Sequence, residues 1–261
     1  MPPFACMELL WGGVSGARFE AWLDEVRGAG FAGVGVHAAT LRPFLDDARG
    51  FDTLLARRGL KLAGVYLHLN DTAELLEPLC RWMKQVGCAD LILHGGTANS
   101  EAERSAAAQR MDALGARAAG QGVCLSYHHH AGNFFVTLEQ TEAFLGRTDP
   151  RHVAGFCDTG HATQDFEGHP LERRALIFLE RNWARMRCIE FKAWSPEHGL
   201  NSELGEGPAD FEALVAFLVN RDYQGWITLE QNAPAPGRTP LECAARSLRL
   251  SPSSAAMRAA S

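Results

Sequence analysis

The chain carries 261 residues, 46% of them hydrophobic and 21% charged, a balance that suits a globule with ample core. Its formal net charge of -6 is spread without blocks, which argues against nucleic acid or an anionic membrane surface as partner. No apolar run approaches the roughly 18 residues of a membrane span, and the first residues lack the basic region of a signal peptide, so a cytoplasmic location is expected.

ACMELLWGG (5–13) reads as a short buried strand, and Phe19, Trp22, Leu23 and Val26 follow at helical spacing until Gly28 and Gly30 stop them. FAGVGVHA (31–38) is the second strand, and a helical stretch from Phe44 to Arg58 leads to the third, KLAGVYLHL (61–69). Leu75, Leu76, Leu79 and Met83 mark the next helical face, ADLILHGG (89–96) the fourth strand, and the Ala-rich segment 100–119 the helix after it. Then come VCLSYHHH (123–130), a helix over 137–146, VAGFCD (153–158), a helix from Leu171 to Trp183, and RCIEFKAW (187–194). A helix with Phe211, Leu214, Val215 and Leu218 on one face, the strand GWITLE (225–230) and a short helix over 239–248 complete the series. Short, nearly continuously apolar strands alternating with helices predict one α/β domain, a single (β/α)8 TIM barrel over residues 1–250. The small polar tail, 251–261, is expected to fray. Cysteines occur without a CxxC pair, and Cys6, Cys124, Cys157 and Cys188 lie in apolar runs, where they read as reduced core residues.

In such a barrel the active site lies at the C-terminal ends of the strands, so the polar residues there carry the information. The fullest example is FCDTGH (156–161), in which a buried strand delivers Asp158 to its tip and His161 follows three residues later. Strand three ends near His68, strand four near His94, and strand five in His128, His129 and His130, the first and last sharing a face. Strand seven carries Glu190 and Lys192, and strand eight Glu230. Three converging acids would repel one another and protonate unless a cation held them. One divalent metal bound by Asp158, Glu190, Glu230 and one imidazole, His130 with His128 as the alternative, is therefore expected. Oxygen-rich ligands point to Mn²⁺ first, with Mg²⁺, Co²⁺ or Zn²⁺ as alternatives. Plainer roles compete: His68, His94 and His129 as hydrogen-bonded wall residues, and Lys192 as the ion-pair partner of Glu190.

These residues resemble the xylose-isomerase-like barrel family, often labelled sugar phosphate isomerases/epimerases, along nearly the whole chain. YHHHAGNFF (127–135) is similar to its YHxH stretch, and most to the HxHAGT version of inosose dehydratases. CDTGHA (157–162) matches its DTGH motif, LGEGPADF (204–211) and YQGWITLEQN (223–232) resemble LGEGxxDF and YxGWxxxEQD, and TPLECAARS (239–247) its closing helix. The resemblance implies a metal held by a Glu associated with strand five, the DTGH Asp, a strand-seven His and the strand-eight Glu. Asp158 and Glu230 match directly. Glu190 stands where the His is expected and Ala193 where the HxKD pattern has Asp. Asn133, Phe134, Phe135 and Val136 occupy the region of the missing Glu. Either the ligands have been exchanged, keeping one imidazole and three carboxylates, or the site has lost its metal.

The expected activity is metal-dependent isomerisation or dehydration of a polyhydroxylated keto compound, a sugar or a cyclitol such as an inosose, through an enediolate. Glu230, His130 and Lys192 are the acid/base candidates, with Lys192 alternatively holding the oxyanion. His161 contacts a substrate hydroxyl or orients a ligand. His68, His128, His161 and Trp194 are the candidate substrate contacts. A fifth strand that offers imidazoles instead of Glu leaves one carboxylate base, which ranks dehydratase or isomerase above epimerase. The rival reading is a non-catalytic sugar-binding or complex-forming barrel. An endonuclease-like multi-zinc relative is disfavoured, because the chain is acidic and has no basic track for phosphates. A small-molecule sugar or polyol is the expected partner, and homo-oligomerisation is left open.

Overall fold

Strands buried on both faces need no polar alternation, and the apolar runs of this chain assemble accordingly. The computed structural model describes residues 2–250. Its strands are β1 (Phe4–Met7), β2 (Gly33–His37), β3 (Lys61–His68), β4 (Asp90–His94), β5 (Cys124–Tyr127), β6 (Val153–Asp158), β7 (Met186–Phe191) and β8 (Ile227–Leu229). Each pairs in parallel with its neighbours in sequence, and β8 pairs with β1, so the sheet closes into a barrel.

The helices are α1 (Ala17–Ala29), α2 (Ala38–Leu41), α3 (Ala48–Ala56), α4 (Thr72–Val86), α5 (Glu101–Ala119), α6 (Leu138–Arg147), α7 (Thr159–Asp165), α8 (Arg174–Asn182), α9 (Phe211–Asn220) and α10 (Pro240–Leu250). The stripe Phe19, Trp22, Leu23 and Val26 of α1 is buried, and each such large side chain gains about 1.5–3 kcal/mol from leaving water. Ser100 and Glu103 form a capping box at the start of α5, as Thr137 and Gln140 do for α6. A smaller apolar group, Met7, Tyr66, Ile92 and Phe156, is separate from the main core. All four lie on strands, and Tyr66 also lines the cavity at the barrel mouth.

Several expected elements are shorter than their apolar runs. β1 stops at Met7, where a 3-10 turn over Glu8–Trp11 begins and ends on Gly12 in the left-handed region at φ 70°. The helix expected from Phe44 to Arg58 is shorter: Phe44 closes a 3-10 turn that holds Pro43, and α3 starts only at Ala48, with Asp47 accepting from the Gly50 N–H. β5 ends at Tyr127, β7 at Phe191 and β8 at Leu229, so His128–His130, Lys192–Trp194 and Glu230 lie just beyond their strands. The expected tail, 251–261, lies outside the described residues. Among the described residues no helix is long and apolar enough to cross a membrane.

Candidate active site

The register of β6 against β7 pairs Asp158 with Glu190 and therefore sets two carboxylates side by side at the barrel mouth. The hydroxyl of Thr159 donates to the Lys192 carbonyl at 2.8 Å and accepts the Lys192 N–H at 3.0 Å, which fixes the chain where it leaves β7. Next to it, the Glu230 N–H donates to the Phe191 carbonyl, so β8 delivers Glu230 beside Lys192. On the other flank Asn133 accepts from the Gly95 N–H at 2.9 Å and donates to the His128 carbonyl at 2.8 Å. That bridge ties the histidine loop to the end of β4. It also shows what Asn133 does in the region where a Glu was missing.

Asp158 faces two ways. Its Oδ1 accepts from the N–H groups of Gly160 and His161 at 2.8 and 3.0 Å, capping α7. Its Oδ2 lies 2.9 Å from His128 Nε2 and 3.8 Å from His161 Nε2. Lys192 Nζ donates to Glu230 Oε1 at 2.6 Å and stands 4.0 Å from Asp158 Oδ2. The Tyr66 hydroxyl donates to Glu190 Oε2 at 2.5 Å, while Glu190 Oε1 is buried with no hydrogen-bond partner among the described residues, 3.7 Å from His128 Nε2. Gly160 allows this packing, since a Cβ there would meet Lys192 Cγ at 2.9 Å.

The three acids ionise differently because their neighbours differ. Burial raises the Asp158 carboxyl, but His161, Lys192 and His128 outweigh it and hold it well below the carboxylate range. Burial likewise raises Glu230, and Lys192 with His128 brings it below its ordinary value. At Glu190 the lowering by Lys192 and by the Tyr66 hydrogen bond is outweighed. Desolvation, then the charges of Glu230 and Asp158, push it well above the usual range. Burial works against the Lys192 charge, yet Glu230, Asp158 and Glu190 more than reverse it, so the ammonium persists. The cluster thus sets two acids shifted toward the charged form beside one cation, with Glu190 the acid shifted toward its neutral form.

Its donors fit a divalent ion. His128, Asp158 and His161 are buried, and each offers one ligand atom within 4.8 Å of the others'. The orphaned Glu190 Oε1 offers a fourth donor, facing His128. Two imidazoles with carboxylates suit first-row transition metals. The expected set of Asp158, Glu190, Glu230 and His130 is not the one brought together. Glu230 is engaged by Lys192; of the two imidazoles expected for one place, His128 and not His130 approaches Asp158, and His161 joins it.

Above the cluster opens a cavity of about 640 Å³, lined in part by His37, Tyr66, His128, His161, Lys192 and Glu230. His130 also lines it; its ring stacks on His161 at 4.8 Å, Nδ1 lies 2.7 Å from the Ala131 carbonyl, and burial first, then His128, lowers it to about 4. His129 turns away into the helix layer against Phe166 and Phe178, and its Nε2 accepts the Asp158 N–H at 3.3 Å. His94 lines the cavity, whereas His68 packs behind it at 5.1 Å and accepts the Asn70 N–H. Neither His68 nor Trp194 is a lining residue. Tyr66, Glu8 and His37 were not singled out from the sequence. A Tyr in an apolar strand whose hydroxyl needs a partner was the available signal for Tyr66. Glu8 was hidden inside a run read as strand.

Comparison with known proteins agrees with this architecture. A profile of the family described as xylose isomerase-like TIM barrel matches residues 23–251. An inosose dehydratase of Bacillus velezensis is 25% identical, the match covering 88% of this chain and 87% of that protein. An inosose dehydratase of Salmonella agona is 30% identical over 56% of this chain and 52% of its own length. The crystal structure of a D-allulose 3-epimerase from Methylomonas sp. superposes with a TM-score of 0.73 at 20% identity, covering 95% of this chain and 96% of that one. The closed eight-stranded barrel and the family match over most of its length establish that the chain belongs to the xylose isomerase-like TIM barrel family.

Proposed function

We propose that the protein is a divalent-metal-dependent dehydratase of polyhydroxylated keto compounds, with a cyclitol ketone of the inosose class as substrate. The observation that carries this reading is the pairing of an ionised Glu230 with Lys192 at 2.6 Å, on the wall of a cavity that also exposes His128 and His161. The names of the curated relatives support a sugar or cyclitol enzyme over a non-catalytic barrel. A cavity of about 640 Å³ accommodates a six-membered polyol ring.

His128, Asp158 and His161 would hold the metal, with Glu190 Oε1 in reach. When bound, such an ion supplies Lewis-acid polarisation of the ketone and the neighbouring hydroxyl. Glu230 takes the proton from the carbon beside the carbonyl. As Glu230 loses its charge to that proton, the Lys192 ammonium is released to donate to the developing enolate oxygen. His130, with Nδ1 turned to the Ala131 carbonyl, presents its other nitrogen to a substrate hydroxyl. One carboxylate base on one face suits loss of a β-hydroxyl or a 1,2-shift of the carbonyl better than inversion.

The test is incubation of the Mn²⁺-loaded protein with a keto-inositol in deuterated water, followed by mass spectrometry and NMR. Loss of one water with deuterium at the reacting carbon is the expected result. Stereoinversion without water loss would reassign the protein as an epimerase. Absence of both exchange and turnover with any divalent metal would remove the enzymatic reading.

A further inference from the structure

The cavity has a second polar group that the cluster around Asp158 does not use. Glu8, directly after β1, is 1% exposed, an unusual place for an acid. Its Oε1 accepts the His37 N–H at 2.9 Å and the Thr40 hydroxyl at 2.9 Å, and lies 2.8 Å from His37 Nδ1. With Glu8 Oε1 taking up Nδ1, Nε2 is the ring nitrogen free to exchange a proton with the cavity. His37 ends β2 and lines the same cavity as Lys192 and Glu230. In a closed barrel of eight strands in sequence order, β2 lies across from β6. His37 therefore faces the cluster from the far side, with its ring 5.9 Å from those of Tyr66 and His94.

We infer that His37 is a second catalytic residue, the acid that protonates the departing hydroxyl, and that Glu8 is its positioning residue. The assignment rests on the dehydratase reading above. Elimination needs proton handling at two carbons, and Glu230 serves only the one beside the carbonyl. The C–H electron pair becomes the new C=C bond as Glu230 takes the proton. The β C–O bond breaks with its electron pair on oxygen, which receives the proton from Nε2 of the His37 imidazolium and leaves as water. The carboxylate of Glu8 stabilises that imidazolium, as an acid behind a histidine does in hydrolytic triads. Solvent then returns a proton to His37 and removes one from Glu230, so the cycle closes without any other reactant.

The experiment compares wild type, His37→Asn and Glu8→Gln, each metal-loaded, with a keto-inositol in deuterated water. Asn retains a donor where Nδ1 stood and lacks Nε2. His37→Asn is expected to lower water loss about 100-fold while recovered substrate still acquires deuterium beside the carbonyl. Glu8→Gln should show the same split to a smaller degree with an unchanged thermal midpoint within a few degrees. Equal loss of exchange and elimination in His37→Asn, or full retention of both, would overturn the assignment. If wild type itself neither exchanges nor dehydrates the substrate, the dehydratase reading fails instead, and the two failures are distinct.

Discussion

The two halves of the cavity wall handle protons in opposite ways. Beyond β5 to β8 two acids are held toward the charged form by close partners, Asp158 by the His128 ring and Glu230 by the Lys192 ammonium. Beyond β2 to β4 the wall is imidazole in an apolar frame, His37 and His94, with His68 packed behind His94 and one buried acid behind His37. Burial, followed by the neighbouring His128, His37 and His68, lowers His94 to about 3, so its ring stays neutral. The difference follows from strand register. β6 and β7 force acids side by side, which obliges a counter-cation, whereas β2 to β4 end in histidines at the mouth and no such demand arises there.

Breaking the charge balance should have the largest effect. Lys192→Met leaves Glu230 buried without its cation, a change worth about 3–5 kcal/mol in denaturant unfolding. Adding Glu230→Gln to that variant should recover more than half of the loss. If the single variant unfolds like wild type, the charged wall is not held by that pair.

Asp158→Asn keeps the side-chain oxygen that caps α7, and Asn caps as well as Asp. Stability should therefore change little. Turnover of a keto-inositol should fall at least about 100-fold, and the rise in thermal midpoint on adding Mn²⁺ should vanish. A persisting metal-induced rise would place the ion away from Asp158. Tyr66→Phe is a milder cut on the seam between the halves, since it removes the donor to Glu190 Oε2. A loss of about 1–3 kcal/mol is expected from the unsatisfied buried oxygen.

The imidazole wall is sharpened by pH. The folded His94 value of about 3 lies below its ordinary 6.5, so the folded state binds fewer protons between those limits. This contribution to stability is fully present above pH 6.5 and is lost as the pH falls toward 3. His94→Gln should flatten the acid limb of a stability–pH profile and change little at neutral pH. An unchanged limb would mean that His94 is protonated in the folded protein.

Much of the architecture was legible because it is local. Apolar runs broken by Gly mark strands and turns whatever the rest of the chain does, and the polar residue at each run's end marks the mouth of a barrel. Asp158 and Glu230 were found by that rule, and so was Glu190. Glu8 escaped it, because β1 ends earlier than its apolar run and the acid looked like part of the strand. The histidine triplet shows the same limit: β5 stops at Tyr127, and strand alternation does not say which ring approaches Asp158.

The sequence by itself determined the order of strands and helices and which strand ends bear ionisable groups, since hydrophobic period and Gly or Pro placement are properties of short segments. Only the tertiary structure decided which of those groups touch. Lys192 turned out to pair with Glu230 instead of Glu190, His128 of the two candidate imidazoles to approach Asp158 together with His161, and Glu8 to orient His37. The physical reason is that these choices depend on register between strands and on barrel closure, and a displacement of an ångström or two in a desolvated cluster selects a different ion pair.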